Sequence, residues 1–552
     1  MRKVARNVIG LTVAAFIAVA ACGDDDGNGP APLPAPTGVT TTQQSLTSIR
    51  VSWSAVTGAQ SYLVQRATGA TPGTFTTLAG NVTATQYDDN SVSAGNTYHY
   101  RVAAIAGSDT SAFSSVVNRT IGQVTITGPI TANRTLFSDT VYVLSGFVKV
   151  DSGFTLTIQA GTTIVGDTTA AGSSLFIRRG ARIIANGTAA LPIVFTSQRA
   201  PGNRKPGDWG GIVIVGRGII NRTGTVLTEG PAGAQENYAG GTDNADSSGV
   251  LRYVRIEFAG YDVSGTGSEL NGLSMYAVGS KTVIEYIEVL AGLDDSFEWW
   301  GGAVDARYLV SYEAGDDHFD WSEGYVGRVQ HAIGLQSVRL TPHTGSGTLA
   351  TDPQGFEADG CNGTGCATNP HRSTPYSDPT FSNVTMIGSG AVETQAAGGV
   401  GAVLRRGTKG LLHNVIIGRW KATGISVHDS VTGNILTADS LNLTDVVFAE
   451  NTVSNYDTVG ATNRFGQSTN FPAADNHRNA ATAASIITNL TPASLDWKPT
   501  GIAATGCGTV AIPAPRDANF FGGTMSNTAY CGAVDPAAGA PWYQGWTRYA
   551  AN

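Results

Sequence analysis

The first part of the sequence alternates apolar and polar residues with the two-residue period of half-buried β-strands. The segments SIRVSW (48–53), SYLVQRA (61–67) and TYHYRVAAI (97–105) all follow this pattern. Turn-forming stretches such as VTGAQ and SVSAGN separate them. Short alternating strands between frequent turns are typical of a β-sandwich. The pattern therefore predicts an N-terminal sandwich domain over residues 35–122.

The pattern changes after residue 122. Short Val/Ile runs now alternate with glycines, as in LTIQAGTTIVG (156–166), LFIRRGARIIANG (175–187) and GIVIVGRGIIN (211–221), and related runs continue to residue 418. Repeats of about twenty residues built from short strands are typical of a parallel β-solenoid, in which stacked coils bury a common core. The sequence predicts such a solenoid from about residue 123 onward.

The composition agrees with an all-β protein. Charged residues make up 14% of the chain, below the roughly 25% of an average soluble domain, and 70 of the 552 residues are glycine. The net charge is −8, and no basic stripe is interleaved with aromatic residues. We therefore expect no nucleic-acid partner.

The N-terminus has the features of an exported and anchored protein. Basic residues precede the apolar run VIGLTVAAFIAVA, which is short for a membrane span, and Cys22 follows small residues. This arrangement resembles the bacterial lipobox, which implies a signal peptide over 1–21, acylation of Cys22 as the membrane anchor and a flexible tether over 22–34. Gly23 after the cysteine implies the outer membrane of the cell envelope, on its periplasmic or its outer side. The alternative is an ordinary secretory peptide with an incidental cysteine.

Four cysteines remain if Cys22 is acylated, and four cysteines allow three disulfide pairings. Cys361 and Cys366 enclose only the flexible segment NGTG, which leaves Cys507 and Cys531 as the second pair. Two local disulfides are expected in an oxidising compartment. A metal site at CNGTGC is not expected, because no pair of histidines stands at ligand spacing.

The N-terminal domain resembles a fibronectin type III domain. The resemblance rests on Trp53 in an early strand, Ala59 and Tyr62 opening the next, Tyr87-Asp88-Asp89 before a turn, and the segment 98–102. It implies an immunoglobulin-like sandwich that serves as a spacer or a binding module, since these aromatic residues have core and corner roles.

The solenoid resembles a family of secreted β-helix lipoproteins from Bacteroidetes and Gemmatimonadetes. The matching motifs are LTIQAGTTI, PIVFTS (192–197), GDWGGIVIVG (207–216), LRYVRIEFAGY (251–261), LDDSFEWWGG (293–302) and a terminal GWT (545–547). The resemblance implies a right-handed parallel β-helix of the pectin-lyase-like kind over 123–552, ending in a disulfide-bearing tail. It implies a fold and a compartment, and no particular activity.

An acidic and aromatic phrase recurs in the solenoid, as LDDSFEWWGG, GDDHFDWSEGY (315–325) and GFEADG (355–360). Residues one coil apart lie about 4.8 Å above each other. Alignment on Phe297, Phe319 and Phe356 then stacks their neighbours Glu298, Asp320 and Glu357 in one column. If the phenylalanines face inward, alternation places the acids on the outer face. The candidate site residues of that face are Asp294, Glu298, Asp316, Asp320 and His318, flanked by Trp299, Trp300 and Trp321 and by Arg405 on a later coil.

Stacked carboxylates repel each other, since two charges at about 5 Å cost roughly 3 kcal/mol at an effective dielectric constant of 20. A hard cation such as Ca²⁺ would relieve the repulsion if it were bound by Asp294, Glu298, Asp316, Asp320 and Glu357. Raised pKa values, as in acid–base dyads, would also relieve it. In the third alternative the acids cap turns by accepting hydrogen bonds from backbone N–H groups.

Three functions are compatible with these features. The repeated phrase could be purely structural in a surface scaffold or adhesin, or its acids and tryptophans could form a groove that binds a glycan. It could also belong to a polysaccharide lyase that uses Ca²⁺ with a basic residue, or to a glycoside hydrolase with paired acids. No complete motif of either enzyme class matches. We therefore expect a lipid-anchored envelope scaffold or adhesin that binds glycan, with a polysaccharide-degrading enzyme as the alternative.

Overall fold

The computed structural model describes residues 32–45, 47–93, 96–262, 268–390, 398–457, 463–508 and 523–549. Strands make up 40% of the structure and helices 6%, which confirms the all-β class. The predicted signal peptide and Cys22 lie outside the described residues. Among the helices that the structure describes, none is long and apolar enough to cross a membrane.

The described residues between 32 and 122 form a β-sandwich. Its described strands are β1 Thr40–Ser45, β2 Ser48–Ser52, β3 Ser61–Thr68, β4 Thr76–Val82, β5 Gln86–Asp89, β6 Thr97–Ala106, β7 Asp109–Thr110 and β8 Val117–Thr120. One sheet has the order β1-β2-β5, and the other has the order β4-β3-β6-β7 with β8 paired to β6. Neighbouring strands are antiparallel, as the alternating pattern predicts for a sandwich.

The aromatic residues of the sandwich build its core. Trp53 lies edge-on to Tyr62, with ring centroids 5.2 Å apart, and both side chains are buried. The Tyr100 hydroxyl donates a hydrogen bond of 2.8 Å to Asp89, and Arg66 pairs with the same carboxylate at 2.7 Å. This arrangement confirms the prediction of a fibronectin type III-like N-terminal domain.

From residue 123 the chain winds into a parallel β-helix. Its described strands are β9 Gln123–Thr127, β10 Arg134–Leu136, β11 Val141–Ser145, β12 Phe147–Val150, β13 Thr155–Ile158, β14 Thr163–Gly166, β15 Ser174–Ile177, β16 Arg182–Asn186, β17 Ile193–Ser197, β18 Ile212–Val215, β19 Gly249–Glu257, β20 Leu273–Tyr276, β21 Val283–Leu290, β22 Phe297–Trp300, β23 Ala306–Tyr312, β24 Phe319–Ser322, β25 Arg328–Leu335, β26 Gln354–Asp359, β27 Thr380–Ile387, β28 Val400–Arg405, β29 Gly410–Gly418, β30 Ile425–Val427, β31 Leu441–Ala449 and β32 Arg478–Ala480. One parallel sheet has the order β12-β15-β18-β20-β22-β24-β26-β28-β30, and we call it the nine-strand sheet. The other strands join in a second sheet, the fifteen-strand sheet, whose main path runs from β9 to β32.

A few helices and one hairpin complete the part of the chain that the structure describes. They are the α-helices α1 Ser430–Thr437 and α2 Gly501–Ala504, the antiparallel pair β33 Ile487–Asn489 and β34 Asp496–Pro499, and short 3₁₀ turns at Pro370–Arg372, Ser468–Asn470, Ala473–Asp475, Ala483–Ser485 and Pro492–Ser494.

The long strands of the fifteen-strand sheet bend at a residue with left-handed backbone. Tyr253, Tyr286 and Tyr308 occupy this position in β19, β21 and β23, with φ of 50°, 57° and 61°. The left-handed conformation costs an L-residue about 1–2 kcal/mol. The three rings offset this cost by stacking at centroid distances of 4.3 Å and 4.4 Å, with Trp546 packed edge-on against Tyr253 and Tyr286.

The phenylalanines of the repeated phrase stack inside the β-helix. Phe297 pairs with Phe319 and Phe319 with Phe356, and each step separates the ring centroids by 5.5 Å. All three side chains have no exposed surface. The predicted inward stack is therefore confirmed.

A ladder of side-chain hydrogen bonds closes the turns that precede the nine-strand sheet. Asn271 Oδ1 accepts from the backbone N–H of Asp295 at 3.1 Å, and Asp295 Oδ1 accepts from that of Asp317 at 2.8 Å. Asp317 Oδ1 accepts from the backbone of Gln354 at 2.5 Å, and Gln354 Oε1 accepts from that of Val400 at 2.8 Å. Among the three alternatives for the acids, turn capping therefore holds for Asp295 and Asp317.

Among the insertions that interrupt the coils, one precedes β19 and another precedes β26. The third predicted repeat, GIVIVGRGIIN, forms only the strand β18, because an insertion starts at Gly216 and lasts until β19 begins at Gly249. The stretch between Leu335 and Gln354 is fully described and contains no strand. Both insertions contribute residues to the surface of the nine-strand sheet.

The described residues after Ala480 leave the coils and cover the outer face of the fifteen-strand sheet. The N–H of Gly532 donates to the carbonyl of Asn414 in β29 at 2.8 Å. Further along, the N–H of Arg548 donates to the carboxylate of Glu288 in β21 at 2.9 Å. This C-terminal segment therefore runs back across several coils, and buries an apolar layer that includes Trp497 and Trp546.

Both predicted disulfides are present, Cys361–Cys366 and Cys507–Cys531. The second joins two parts of the C-terminal segment that are 24 residues apart. A loop of roughly this size stabilises a fold by about 3 kcal/mol through the entropy of the unfolded chain.

We predict that Phe319→Ala lowers the free energy of unfolding by about 3–5 kcal/mol, because it opens a cavity in the middle of the phenylalanine stack. Denaturant unfolding followed by circular dichroism measures this effect. The matched control is Val338→Ala, whose side chain is 47% exposed, and which should change the stability by less than about 0.5 kcal/mol. Equal losses in the two variants would contradict the stacked core.

We predict that Asp295→Ala lowers the free energy of unfolding by about 1–3 kcal/mol, because the buried N–H of Asp317 loses its acceptor. Asp295→Asn keeps an acceptor oxygen and removes a charge, so its melting temperature should match or exceed that of the wild type. Asp294→Ala, at the adjacent half-buried acid, is the control and should not destabilise the fold. The melting temperatures should be measured in a chelator, and a destabilised Asp295→Asn variant would refute the ladder.

Candidate functional site

The register of the β-helix brings the repeated acids together. Pairing of β22 with β24 sets Glu298 beside Asp320, and pairing of β24 with β26 sets Asp320 beside Glu357. This is the column that alignment on the phenylalanines predicts. The strands alternate, so the acids lie on the outer face while the neighbouring rings lie in the core.

The column forms part of a concave depression of about 410 Å³, which we call the acidic basin. Eleven acidic side chains line it against only three arginines, so its field is strongly negative when the acids are ionised. The lining residues are Arg222, Glu229, Glu269, Asn271, Asp294, Asp295, Glu298, Trp300, Asp316, Asp320, Ser322, Glu323, Asp352, Glu357, Asp359, Asn362, Arg405 and Arg406.

Carboxylate oxygens in the basin are close enough to share a cation. Three overlapping groups have one oxygen per residue within 4.8 Å of the others. The groups are Asp294 with Asp295 and Asp316, Asp295 with Glu298 and Asp320, and Asp317 with Asp320 and Glu357. All five residues that the sequence suggested as Ca²⁺ ligands therefore belong to at least one group.

Burial and mutual repulsion raise the pKa values of these carboxyls. The pKa of Asp316 and that of Asp320 lie well above the ordinary value, first because of burial and then because of the charge on Glu357. Burial and the neighbouring Asp359 raise the pKa of Glu357 to about 7. Within the described residues, Asp316 Oδ1 and Asp320 Oδ1 are enclosed and have no hydrogen-bond partner. Enclosed oxygens of this kind are destabilising unless a proton or a cation satisfies them.

The network that forms one wall of the basin has no signal in the sequence. Glu229 Oε2 accepts from the Tyr276 hydroxyl and from Asn271 Nδ2, both at 3.2 Å. The same amide nitrogen donates to Glu298 at 2.5 Å. Burial raises the pKa of Glu229 to about 8, so this carboxyl holds a proton at neutral pH. Glu229 lies in the insertion between β18 and β19, where no repeat position exists to reveal it.

Arginines close the opposite end of the basin. Arg405 pairs with Glu357 and, at 2.8 Å, with Asp359, and Arg406 pairs with Asp359 as well. Burial opposes the charge of Arg405, but Asp359 and Glu357 hold its pKa above the ordinary value. Arg405 therefore stays protonated and cannot act as a general base.

The disulfide loop forms a further part of the rim. Arg222 pairs with Glu323 at 2.5 Å and donates from Nε to the carbonyl of Thr364 at 2.8 Å. Thr364 lies between Cys361 and Cys366, so the small disulfide ring is attached to the insertion that supplies Arg222. This attachment places Asn362 at the basin.

The predicted place of His318 on the outer acidic face is wrong. His318 is buried, and its Nδ1 shares a hydrogen bond of 2.6 Å with the hydroxyl of Ser311 in β23. Burial lowers the pKa of His318 to about 3, so the ring is neutral at physiological pH. The alternation of the strand does not reach it, because His318 belongs to the turn before β24 and not to the strand.

The predicted flanking position of the tryptophans is correct only for Trp300. Trp299 and Trp321 each follow an inward phenylalanine by two residues, and strand alternation therefore turns them into the core, where they have no exposed surface. Trp300 lines the basin and stacks on Tyr276, with ring centroids 5.6 Å apart and an interplanar angle of 13°.

A curated protein is similar to part of this chain. One curated protein that matches is the poly(3-hydroxybutyrate) depolymerase of Ralstonia pickettii, with 33% identity over 119 residues. The match covers 22% of this chain and 20% of that protein, so the chain spans about a fifth of the length of that relative.

Solved structures match the N-terminal domain. A fibronectin type III-like protein from Clostridium thermocellum has 32% identity and a TM-score of 0.15, over 16% of this chain and 92% of that chain. The fibronectin type III domain of the human collagen alpha-1(XX) chain has 19% identity and a TM-score of 0.15, over 17% of this chain and 91% of that chain.

The stacked coils and the basin lie in a segment that matches a single family model. The pectate-lyase-like β-helix domain model matches residues 128–494, which is more than half of the chain. The matched segment contains the coils from β10 to β32 and every residue that lines the acidic basin. With its parallel coils and this match together, the chain belongs to the family of pectate-lyase-like β-helix proteins.

Proposed function

We propose that the acidic basin binds a divalent cation of the Ca²⁺ type and, with it, a polysaccharide that carries carboxylate groups. The observation that supports this most directly is the pair of enclosed oxygens, Asp316 Oδ1 and Asp320 Oδ1, which have no hydrogen-bond partner in the described residues. They belong to separate carboxylate groups of the basin, so each stands among further oxygen donors.

The residues fit the coordination chemistry of Ca²⁺. This ion takes oxygen ligands at about 2.3–2.6 Å, so two oxygens bound to one ion are at most about 5 Å apart. The 4.8 Å limit within each carboxylate group satisfies this condition. When bound, Ca²⁺ would supply the positive charge that the column of Glu298, Asp320 and Glu357 lacks.

The rest of the basin is suited to an acidic sugar chain. Arg406 and Arg222 are half-buried at the rim, where guanidinium groups can bind sugar carboxylates. Trp300 presents a partly exposed indole ring, and aromatic faces of this kind pack against the apolar face of sugar rings. These features favour an envelope adhesin or scaffold with glycan affinity.

A polysaccharide-degrading enzyme is the second candidate. It is favoured by Glu229, because a carboxyl that holds its proton at neutral pH beside Glu298 is what general acid catalysis needs. A lyase that uses Arg405 as its base is disfavoured by the ion pairs of that residue. If the basin is catalytic, the favoured reaction class is therefore hydrolysis with paired acids.

We propose that Cys22 anchors the protein to the outer membrane through an attached lipid. The support is the sequence of the first 22 residues, in which a basic start and an apolar run lead to a cysteine after small residues. A Cys22→Ser variant should be released in soluble form, and cell fractionation measures this. Retention of the variant in the membrane fraction after a high-salt wash would contradict the anchor.

We predict that Ca²⁺ raises the melting temperature, and more strongly at about pH 8 than at about pH 5. The pKa values of Glu229 and Glu357 are raised to about 8 and about 7, above the roughly 4.3 of an unfolded chain. Their stabilising contribution is therefore complete at low pH and is lost as the pH rises through these values in metal-free protein. Ca²⁺ at a hundredfold excess over its dissociation constant would restore about 2.7 kcal/mol. Identical melting curves in Ca²⁺ and in chelator at about pH 8 would contradict the cation site.

We predict that the protein binds polygalacturonate in Ca²⁺ and loses this binding in chelator. Asp320→Asn and Glu298→Gln should each weaken binding by at least about tenfold while the protein stays folded, because each removes a charged oxygen donor. Asp139→Asn, at an exposed acid outside the basin, is the matched control. Affinity electrophoresis measures the binding, with a neutral galactan as the negative probe.

The products of the same incubation separate the two candidates. New reducing ends, or unsaturated uronides, would assign an enzyme, whereas intact polymer would leave the binding protein. Equal binding of the neutral galactan, or unchanged binding in chelator, would refute the proposed site.

A further inference from the structure

A second cavity lies between the two domains, and it shares no lining residue with the acidic basin. Its volume is about 300 Å³, and it lies beside the contact of β1 with the β-helix strand β14. The sandwich contributes Ser48, Arg50, Asp88 and Asn90, and the β-helix contributes residues of β14, β17 and β19. Binding sites for small ligands are common at such domain junctions.

Positively charged groups dominate the β-helix side of this junction cavity. Arg204, Arg255 and Arg548 line it together with one acid, Glu257. Arg255 pairs with Glu257 at 3.1 Å, whereas Arg204 lies 3.9 Å from the same carboxylate. One buried carboxylate therefore faces three guanidinium groups, in a chain whose net charge is −8.

The nearby acid Glu288 does not correct this imbalance. It accepts the backbone N–H of Arg548 and lies 3.9 Å from Arg255. Burial raises the pKa of Glu288 to about 8, so at pH 7 its carboxyl group is mostly protonated and uncharged. Burial also lowers the pKa of Arg204, and the charges of Glu257 and Asp208 oppose this effect. In contrast, Arg50 is fully compensated by Asp88 through two hydrogen bonds of 2.7 Å.

We propose that the junction cavity is a binding site for an oxyanion, held by Arg204, Arg255 and Arg548 on a ligand no larger than about one sugar unit. Guanidinium groups bind carboxylate, sulfate and phosphate through paired N–H donors, and three of them converge here. A volume of about 300 Å³ is at the lower end for ligand pockets, which limits the occupant to a small group.

Because the cavity lies between the two domains, a bound anion would affect how they are held together. Ser48 and Asn90 of the sandwich are joined by a hydrogen bond of 2.7 Å and face the same space as Arg255. An anion bound there would contact both domains at once, and would hold the sandwich against the β-helix. The site shares no residue with the acidic basin, so each of the two proposals can be tested independently of the other.

The test is calorimetric titration of the full mature chain, freed of divalent cations on a chelating resin. The probes are galacturonate, inorganic sulfate and inorganic phosphate, with galactose as the neutral control. We expect at least one anion to bind and galactose not to bind. The anion with the highest affinity identifies the source of the charge, whether an acidic sugar, a sulfate ester or a phosphate ester.

Variants decide whether the cavity is the place of binding. Arg548→Gln should weaken anion binding by about tenfold or more, and Arg548→Lys should restore part of it. Arg252→Gln is the matched control, because Arg252 lies in the same strand as Arg255 but pairs with Glu285 outside the cavity. Its affinity should stay within about twofold of the wild type, and melting curves confirm that all variants are folded.

The following results would overturn the proposal. They are the absence of binding for all three anions, equal binding of galactose, and an equal loss of affinity in Arg252→Gln and Arg548→Gln. Asp320→Asn should leave anion binding unchanged, and a loss in that variant would also overturn it, since the anion would then be bound at the basin.

Discussion

The constraint on which the whole structure depends is the hydrogen-bonded register between successive coils. Each strand of the nine-strand sheet pairs in parallel with the strand one coil later, so a residue lies beside its own counterpart. Apolar residues benefit from this arrangement, as the stack of Phe297, Phe319 and Phe356 shows. Acidic residues do not, because the same register brings Glu298, Asp320 and Glu357 together. The packing of the core therefore offsets the repulsion between the stacked carboxylates on the outer face.

The two acids of each Asp-Asp pair have different roles, since one caps a turn and the other faces the acidic basin. Asp295 and Asp317 point into the turns and accept backbone hydrogen bonds from the next coil. Asp294 and Asp316 stand beside them and face the basin. The turn ladder holds the backbone in place, so the outer acids cannot separate to reduce their repulsion. A rigid array of this kind is preorganised for a cation.

Much of this architecture follows from the sequence, because repetition converts spacing into position. The sandwich, the stacked coils, the inward phenylalanines and the acidic column all follow from the period of the pattern. Glu229 and Arg222 could not be found in this way, since they come from an insertion with no counterpart in other coils. Trp299 and Trp321 could have been placed correctly, because strand alternation puts them on the side of their phenylalanines. Strand alternation could not place His318, because this residue lies in the turn before the strand begins.

The C-terminal segment has a consequence for how the β-helix loses its structure. In a simple solenoid each coil contacts only its neighbours, so the ends can fray one coil at a time. Here the C-terminal segment contacts β29 through Gly532 and β21 through Arg548. These two strands are four strand-to-strand steps apart in the fifteen-strand sheet. Loosening any coil beneath it disturbs contacts with all the others. We therefore expect the coils from β21 to β29 to unfold together and not one at a time.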